Sequence, residues 1–124
     1  MHRFSLLIAA WLTAVGTTAP AISAEAPYEP RLMRLAEVLG SLHYLRNLCG
    51  EEGNTWRGEM EKLITAENPE PARRARFVAS FNRGYRSFDG VYVSCTASAT
   101  EAITRYMKEG EALTRDIAVR FGNN

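Results

Sequence analysis

Four stretches of this chain place apolar residues at the three-and-four spacing of an amphipathic helix, and none alternates apolar with polar long enough to make a convincing strand. The fold class this predicts is all-α. The first helix starts near Pro30, a residue tolerated in an opening turn, and ends at Gly50, a left-handed stop. Leu32, Leu35, Leu39, Leu42 and Cys49 form its main stripe. Met33, Val38, Tyr44, Leu45 and Leu48 widen it until only Arg34, Glu37 and Ser41 mark a polar face. A helix so apolar is either central or buried against a partner, and the second case would be a homodimer.

The second helix runs from a cap at Asn54 or Thr55 to about Glu67, with Trp56, Met60, Leu63 and Ile64 on one side, and stops at Asn68-Pro69-Glu70-Pro71. The third covers about Ala72 to Phe88; Val78, Phe81, Tyr85 and Phe88 form its apolar face, with Ala75 and Phe77 at the edges, and Asp89-Gly90 ends it. The fourth begins near Ser98 and reaches Phe121. Its stripe of Ala99, Ile103, Tyr106, Met107, Gly110, Leu113, Ile117 and Phe121 passes through Gly110 without losing phase, which predicts one long helix with a close backbone approach at the glycine. Short connections make consecutive helices antiparallel, giving a small four-helix up-down-up-down bundle.

The N-terminus reads as an address. Arg3 precedes an apolar run from Phe4 to Val15, broken only by Ser5 and Thr13, and small residues follow through Ala24. We expect residues 1–24 to be a secretory signal, cleaved after Ala24 with Ala21 as the alternative, and residues 25–124 to form a single helical domain. The run is shorter than the ~20 residues a bilayer crossing needs, so no stable membrane insertion is expected once the signal is removed. No cysteine lies near the cleavage point, which argues against a lipoprotein.

Export decides how the cysteines are read. Cys49 and Cys95 are the only two, and an oxidising compartment favours a disulfide between them. In the antiparallel bundle the connection after helix one and the connection before helix four lie at the same end, and the two cysteines occupy those places. The bridge would contribute roughly 3–4 kcal/mol in the chain-entropy model. The chain has 124 residues, 46% of them hydrophobic and 23% charged, so it is too small for a second core and profits from the extra constraint.

Loss of the leader removes Arg3 and His2, leaving equal numbers of basic and acidic side chains and one histidine, His43. A neutral protein has no global electrostatic reason to seek nucleic acid or an anionic membrane. Charge is nevertheless segregated. Glu51 to Glu70 holds six acids against Arg57 and Lys62, whereas Ala72 to Phe88 holds Arg73, Arg74, Arg76, Arg83 and Arg86 and no acid. On a helical wheel Arg73, Arg76, Ser80 and Arg83 fall opposite the apolar stripe. They are either a docking surface for an acidic partner or anionic glycan, or solvated side chains paired with the acidic second helix. Helix four carries Glu101–Arg105, Glu111–Arg115 and Asp116–Arg120 at i,i+4, read as stabilising surface pairs.

Asn82 lies on the apolar side of helix three, where an amide must find partners. Either it makes a buried structural hydrogen bond, or Asn82, Tyr85, Arg86 and Tyr92 line a cleft for a polar ligand. His43 sits similarly on helix one, where a satisfied core histidine is the ordinary reading.

The search for catalytic patterns returns little. No HExxH, CxxC, P-loop, GxGxxG or GxSxG pattern occurs. A metal site would need more than His43, so neither metal nor cofactor is expected. Glu51 or Glu52 with Glu59 could form a glycosidase pair only if the fold brought them together. The chain is expected not to be an enzyme.

Tyr28 to Gly50 (YEPRLMRLAEVLGSLHYLRNLCG), Phe77 to Phe88 (FVASFNRGYRSF) and Cys95 to Ala102 (CTASATEA), followed by Arg105-Tyr106, resemble a family of short secreted alphaproteobacterial proteins known as a domain of unknown function. The resemblance spans nearly all of the mature chain. It implies a Gram-negative periplasm and a link with envelope growth or division, and carries over no catalytic residues. The expectation is a periplasmic binding protein whose partner is an envelope protein or peptidoglycan. Arg73, Arg76, Asn82, Arg83, Tyr85, Arg86 and Tyr92 are its candidate binding residues. A periplasmic acid chaperone and a cell-wall hydrolase are the alternatives.

Overall fold

The computed structural model describes residues 15–16 and 26–122. Apart from Val15 and Gly16, the expected signal segment and its cleavage site lie outside the described residues. Four helices follow in order: α1 (Glu29–Leu48), α2 (Thr55–Glu67), α3 (Pro71–Asp89) and α4 (Ala97–Phe121). The chain is an all-α four-helix bundle. Much of its punctuation is that expected from the sequence, although Asn54 opens α2 without a side-chain capping hydrogen bond. Pro30 and Pro71 stand in opening turns, Asn68 closes α2 at φ 42°, Gly50 takes φ 101° after α1, and the Thr96 hydroxyl caps α4 by accepting from the Ala99 amide at 3.1 Å. Helix α4 is continuous through Gly110.

The arrangement is not a square. In a square up-down-up-down bundle α1 and α3 are parallel and sit on the diagonal, so they are the pair farthest apart. Here they are parallel but form the closest pair. A Cβ on Gly40 would lie 1.9 Å from the Phe81 carbonyl oxygen, and one on Gly84 would lie 1.9 Å from the Glu37 carbonyl oxygen. Ser41 fits the same seam, its hydroxyl donating to Glu37 O at 3.0 Å and to Gly84 O at 3.2 Å. With α3 pressed against α1, α2 and α4 pack on other sides of α1 with their backbones apart. Helix α1 is therefore the hub, and the breadth of its apolar arc is accounted for within one chain.

Two layers of core result. Leu32, Ala36 and Leu39 of α1 pack with Met60 and Ile64 of α2 and with Phe77 and Phe81 of α3. Val38, Leu42 and Leu45 face Ala99, Ala102 and Ile103 of α4, and Trp56 packs against both groups. The Cys49–Cys95 disulfide closes the second layer at the end where the sequence placed it, with Cα atoms 5.0 Å apart.

The α3 surface differs from the expectation. Its buried line is Phe77, Ser80, Phe81 and Gly84, while Val78 is 41% exposed. The helix is rotated toward its small residues, because the close approach to α1 needs small side chains more than it needs Val78. Arg73 and Arg83 thus flank the α1 contact instead of facing away from the core. Arg73 donates to both oxygens of Glu29, whose side chain is 6% exposed, and to Glu67 Oε1 at 2.7 Å, joining α1, α2 and α3. Arg83 Nε lies 3.6 Å from Glu37 Oε2.

The surface pairs on α4 are corrected in part. Asp116–Arg120 forms at 2.5 Å, but neither Glu101–Arg105 nor Glu111–Arg115 is within ion-pair distance among the described residues. The stronger links run between helices: Arg34 makes a two-pronged contact with Glu109 at 2.8 and 2.9 Å, and Arg31 reaches Asp116 at 2.6 Å. The carboxylate of Glu109 holds the Arg34 guanidinium more firmly protonated than an ordinary arginine.

Candidate functional site

A cleft of about 350 Å³ opens where the C-terminal half of α1, the first turn of α2 and the C-terminal half of α3 converge. His43 comes from α1, Arg57 from α2, and Phe81, Asn82, Tyr85, Arg86 and Asp89 from α3. The turn between α1 and α2 sets Arg57 in place. Asn47 clamps that turn, its amide oxygen accepting from Gly53 N at 2.8 Å and its nitrogen donating to Gly53 O at 3.1 Å and His43 O at 2.6 Å. The floor is aromatic. The His43 ring lies 5.8 Å from those of Phe81 and Tyr85, and Tyr44 meets Tyr85 edge-on at 5.2 Å.

Three polar side chains of the cleft are uncommitted, while the His43 ring nitrogen Nδ1 lies 3.4 Å from Asn47 Nδ2. Among the described residues the Asn82 amide makes no hydrogen bond, and the guanidiniums of Arg57 and Arg86 have no carboxylate within ion-pair distance. The buried structural hydrogen bond considered for Asn82 is therefore not made, and its amide borders the cleft instead. Burial, and then the charge of Arg57, lower the pKa of His43 from its ordinary value. Because the folded value lies below the unfolded one, this neutral imidazole contributes stability that is fully present above the unfolded pKa of about 6.5 and is lost as pH falls from there through the lower folded value. Unfolding free energy measured by urea titration should accordingly fall on acidification through this window. The fall should be smaller in His43→Gln.

The structure divides the seven candidate binding residues. Asn82, Tyr85 and Arg86 share the cleft; Arg83 joins Asn82 and Arg86 in an adjoining groove with Ala79 and Ser87. Arg73 is occupied by Glu29 and Glu67, and Arg76 is exposed and borders neither opening. Tyr92 lies elsewhere: its ring stacks on Phe88 at 6.0 Å, and it lines a separate opening with Ser98 and Glu101. Arg57 was not singled out as a binding residue, since it lay within an acidic stretch, and only the return of α2 toward α3 brings it to Asn82.

A second, larger opening was not foreseen. Between α2 and α4, over the Leu35-Val38-Leu39-Leu42 surface of α1, lies an apolar groove of about 670 Å³ that also includes Trp56, Met107 and Gly110. The Trp56 indole nitrogen is buried without a hydrogen-bond partner. Gly110 borders this groove, and a methyl there would meet Val38 Cγ1 at an ordinary 3.5 Å, so the close approach expected at this glycine is not a tight one. Of the acids considered for glycoside hydrolysis, Glu51 is bound by Arg46 and Glu59 by Lys62 at 3.0 Å. No group of three metal-ligating side chains occurs among the described residues, and no described helix is long and apolar enough to cross a membrane.

Fold and clefts together define a small disulfide-closed helical protein with open polar and apolar surfaces on either side of α2. The chain belongs to a family of proteins of unknown function, DUF2385, whose model matches residues 27–121. No curated protein and no solved structure matches it.

Proposed function

We propose that this chain is a non-enzymatic periplasmic binding protein that acts in growth or division of the cell envelope, holding an anionic envelope protein or peptidoglycan at the α1–α2–α3 cleft. The observation that carries this reading is the meeting of two unpaired guanidiniums and an unpaired amide over an aromatic floor. Arg73 and Arg83 of the same helix as Arg86, by contrast, lie within ion-pair distance of carboxylates. The signal-like N-terminus supports the location. The test compares the purified protein with its Arg57→Ala/Arg86→Ala double variant for co-sedimentation with purified sacculi and for partners captured from periplasmic extract. Loss of sacculi, or of particular partners, in the double variant is the expected result; identical recovery of both would overturn the reading.

The apolar groove beside α2 supports the alternative of an acid chaperone, for which a client would need such a surface. That alternative requires suppression of client aggregation in acid, visible by light scattering.

A further inference from the structure

We infer that the α1–α2–α3 cleft recognises the free carboxyl terminus of a short peptide with small side chains. This rests on the reading that the cleft binds an anionic partner, and names the chemistry it would select. Arg57 and Arg86 come to the cleft from different helices, and each offers a planar fork of donors that matches a carboxylate. Asn82 lies one helical turn before Arg86 on the same helix. A primary amide has donors and an acceptor together, which is what the N–H and C=O of a peptide group require. An isolated inorganic anion would use the arginines and leave the amide oxygen of Asn82 without a donor.

The floor beneath these groups is aromatic. Phe81 is 5% exposed, and the half-buried rings of His43 and Tyr85 pack beside it, so a small aliphatic side chain can lie against them. A volume of about 350 Å³ is at the lower end for ligand clefts and suits two or three residues of alanine size. Asp89 on the rim sets a limit on charge. Its carboxylate opposes a second anionic group beside the first, which disfavours polyphosphates against a single terminal carboxylate.

The probe is N-acetyl-trialanine, with its C-terminal amide and acetate as comparisons, titrated into the disulfide-intact protein and followed by the NMR resonances of His43, Asn82 and Tyr85. The free acid should bind at least about tenfold more tightly than the amide, as expected for loss of a charge-assisted pair. It should also bind at least about tenfold more tightly than acetate, which lacks the peptide group. Arg57→Ala/Arg86→Ala should abolish the preference for the acid, and Asp89→Asn should strengthen binding. Arg76→Ala, outside the cleft, should change nothing. All these side chains are exposed, and thermal melts would show that the variants fold. Equal affinity for acid and amide, equal affinity for acetate, or unchanged binding by the double variant would each overturn the inference. Arginine-dependent sedimentation with sacculi or retention of envelope partners, together with indifference to the peptide acid, would sink this inference and leave the proposed function standing. Binding of the peptide acid without either would do the reverse.

Discussion

Gly84→Ala is expected to destabilise the domain by about 1–3 kcal/mol, the usual cost of forcing a methyl into a filled interface. Intrinsic helix preference predicts the opposite sign, a gain of up to about 1 kcal/mol for alanine over glycine inside a helix. The seam between α1 and α3 decides the outcome, since the new Cβ would stand 1.9 Å from the Glu37 carbonyl oxygen and neither backbone can yield without parting the helices. Gly40→Ala should behave alike, against the carbonyl of Phe81. Gly110→Ala is the internal control. Its nearest neighbour is a side-chain methyl at 3.5 Å, so it should be neutral or stabilising by up to about 1 kcal/mol. Denaturant midpoints for the three variants check this directly: a shared gain in stability would mean that α1 and α3 do not touch as described.

Opening the Cys49–Cys95 bridge should remove roughly 3–4 kcal/mol of unfolding free energy, whether by reduction or by Cys49→Ser/Cys95→Ser. The two residues are 46 apart in sequence, and the bridge ties the end of α1 to the segment that leads into α4. Loss should therefore be felt first in the opening turns of α4, where Ala99, Ala102 and Ile103 pack on Val38, Leu42 and Leu45. Hydrogen exchange at these amides, with and without reductant, would show whether that layer loosens before the α1–α3 seam. Thiol-alkylating reagents should label neither cysteine in unreduced material.

What could be read from the sequence was whatever is encoded locally. Pro30, Gly50, Asn68 and Pro71 mark helix ends through backbone preference, and the boundaries fall within a few residues of those marks, whereas the Thr96 cap that starts α4 was not among them. The disulfide followed from topology plus compartment. The hub arrangement was half visible, because the apolar arc of α1 was too wide for a corner helix. The rotation of α3 was hidden, since hydrophobic periodicity gives weight to Val78 and none to Ser80 or Gly84, although the small residues decide where two backbones can touch. Ion pairs between helices, such as Arg34–Glu109 and Arg73–Glu29, depend on register across the fold and leave no local trace. The cleft was partly legible through Asn82, Tyr85 and Arg86. His43 was noted without a companion, and Arg57 had no signal of its own.

The hub is also the first of the described helices to be made. A nascent chain presents the wide apolar arc of α1 before Pro71–Asp89, its tightest mate, has been translated. At ordinary elongation rates that interval is roughly 2–10 s, long compared with the formation of a helix and long enough for an unshielded apolar rod to meet another. Until its third described helix is made, the arc of α1 therefore lacks its tightest cover, a consequence of the order of segments and not of the stability of the finished bundle.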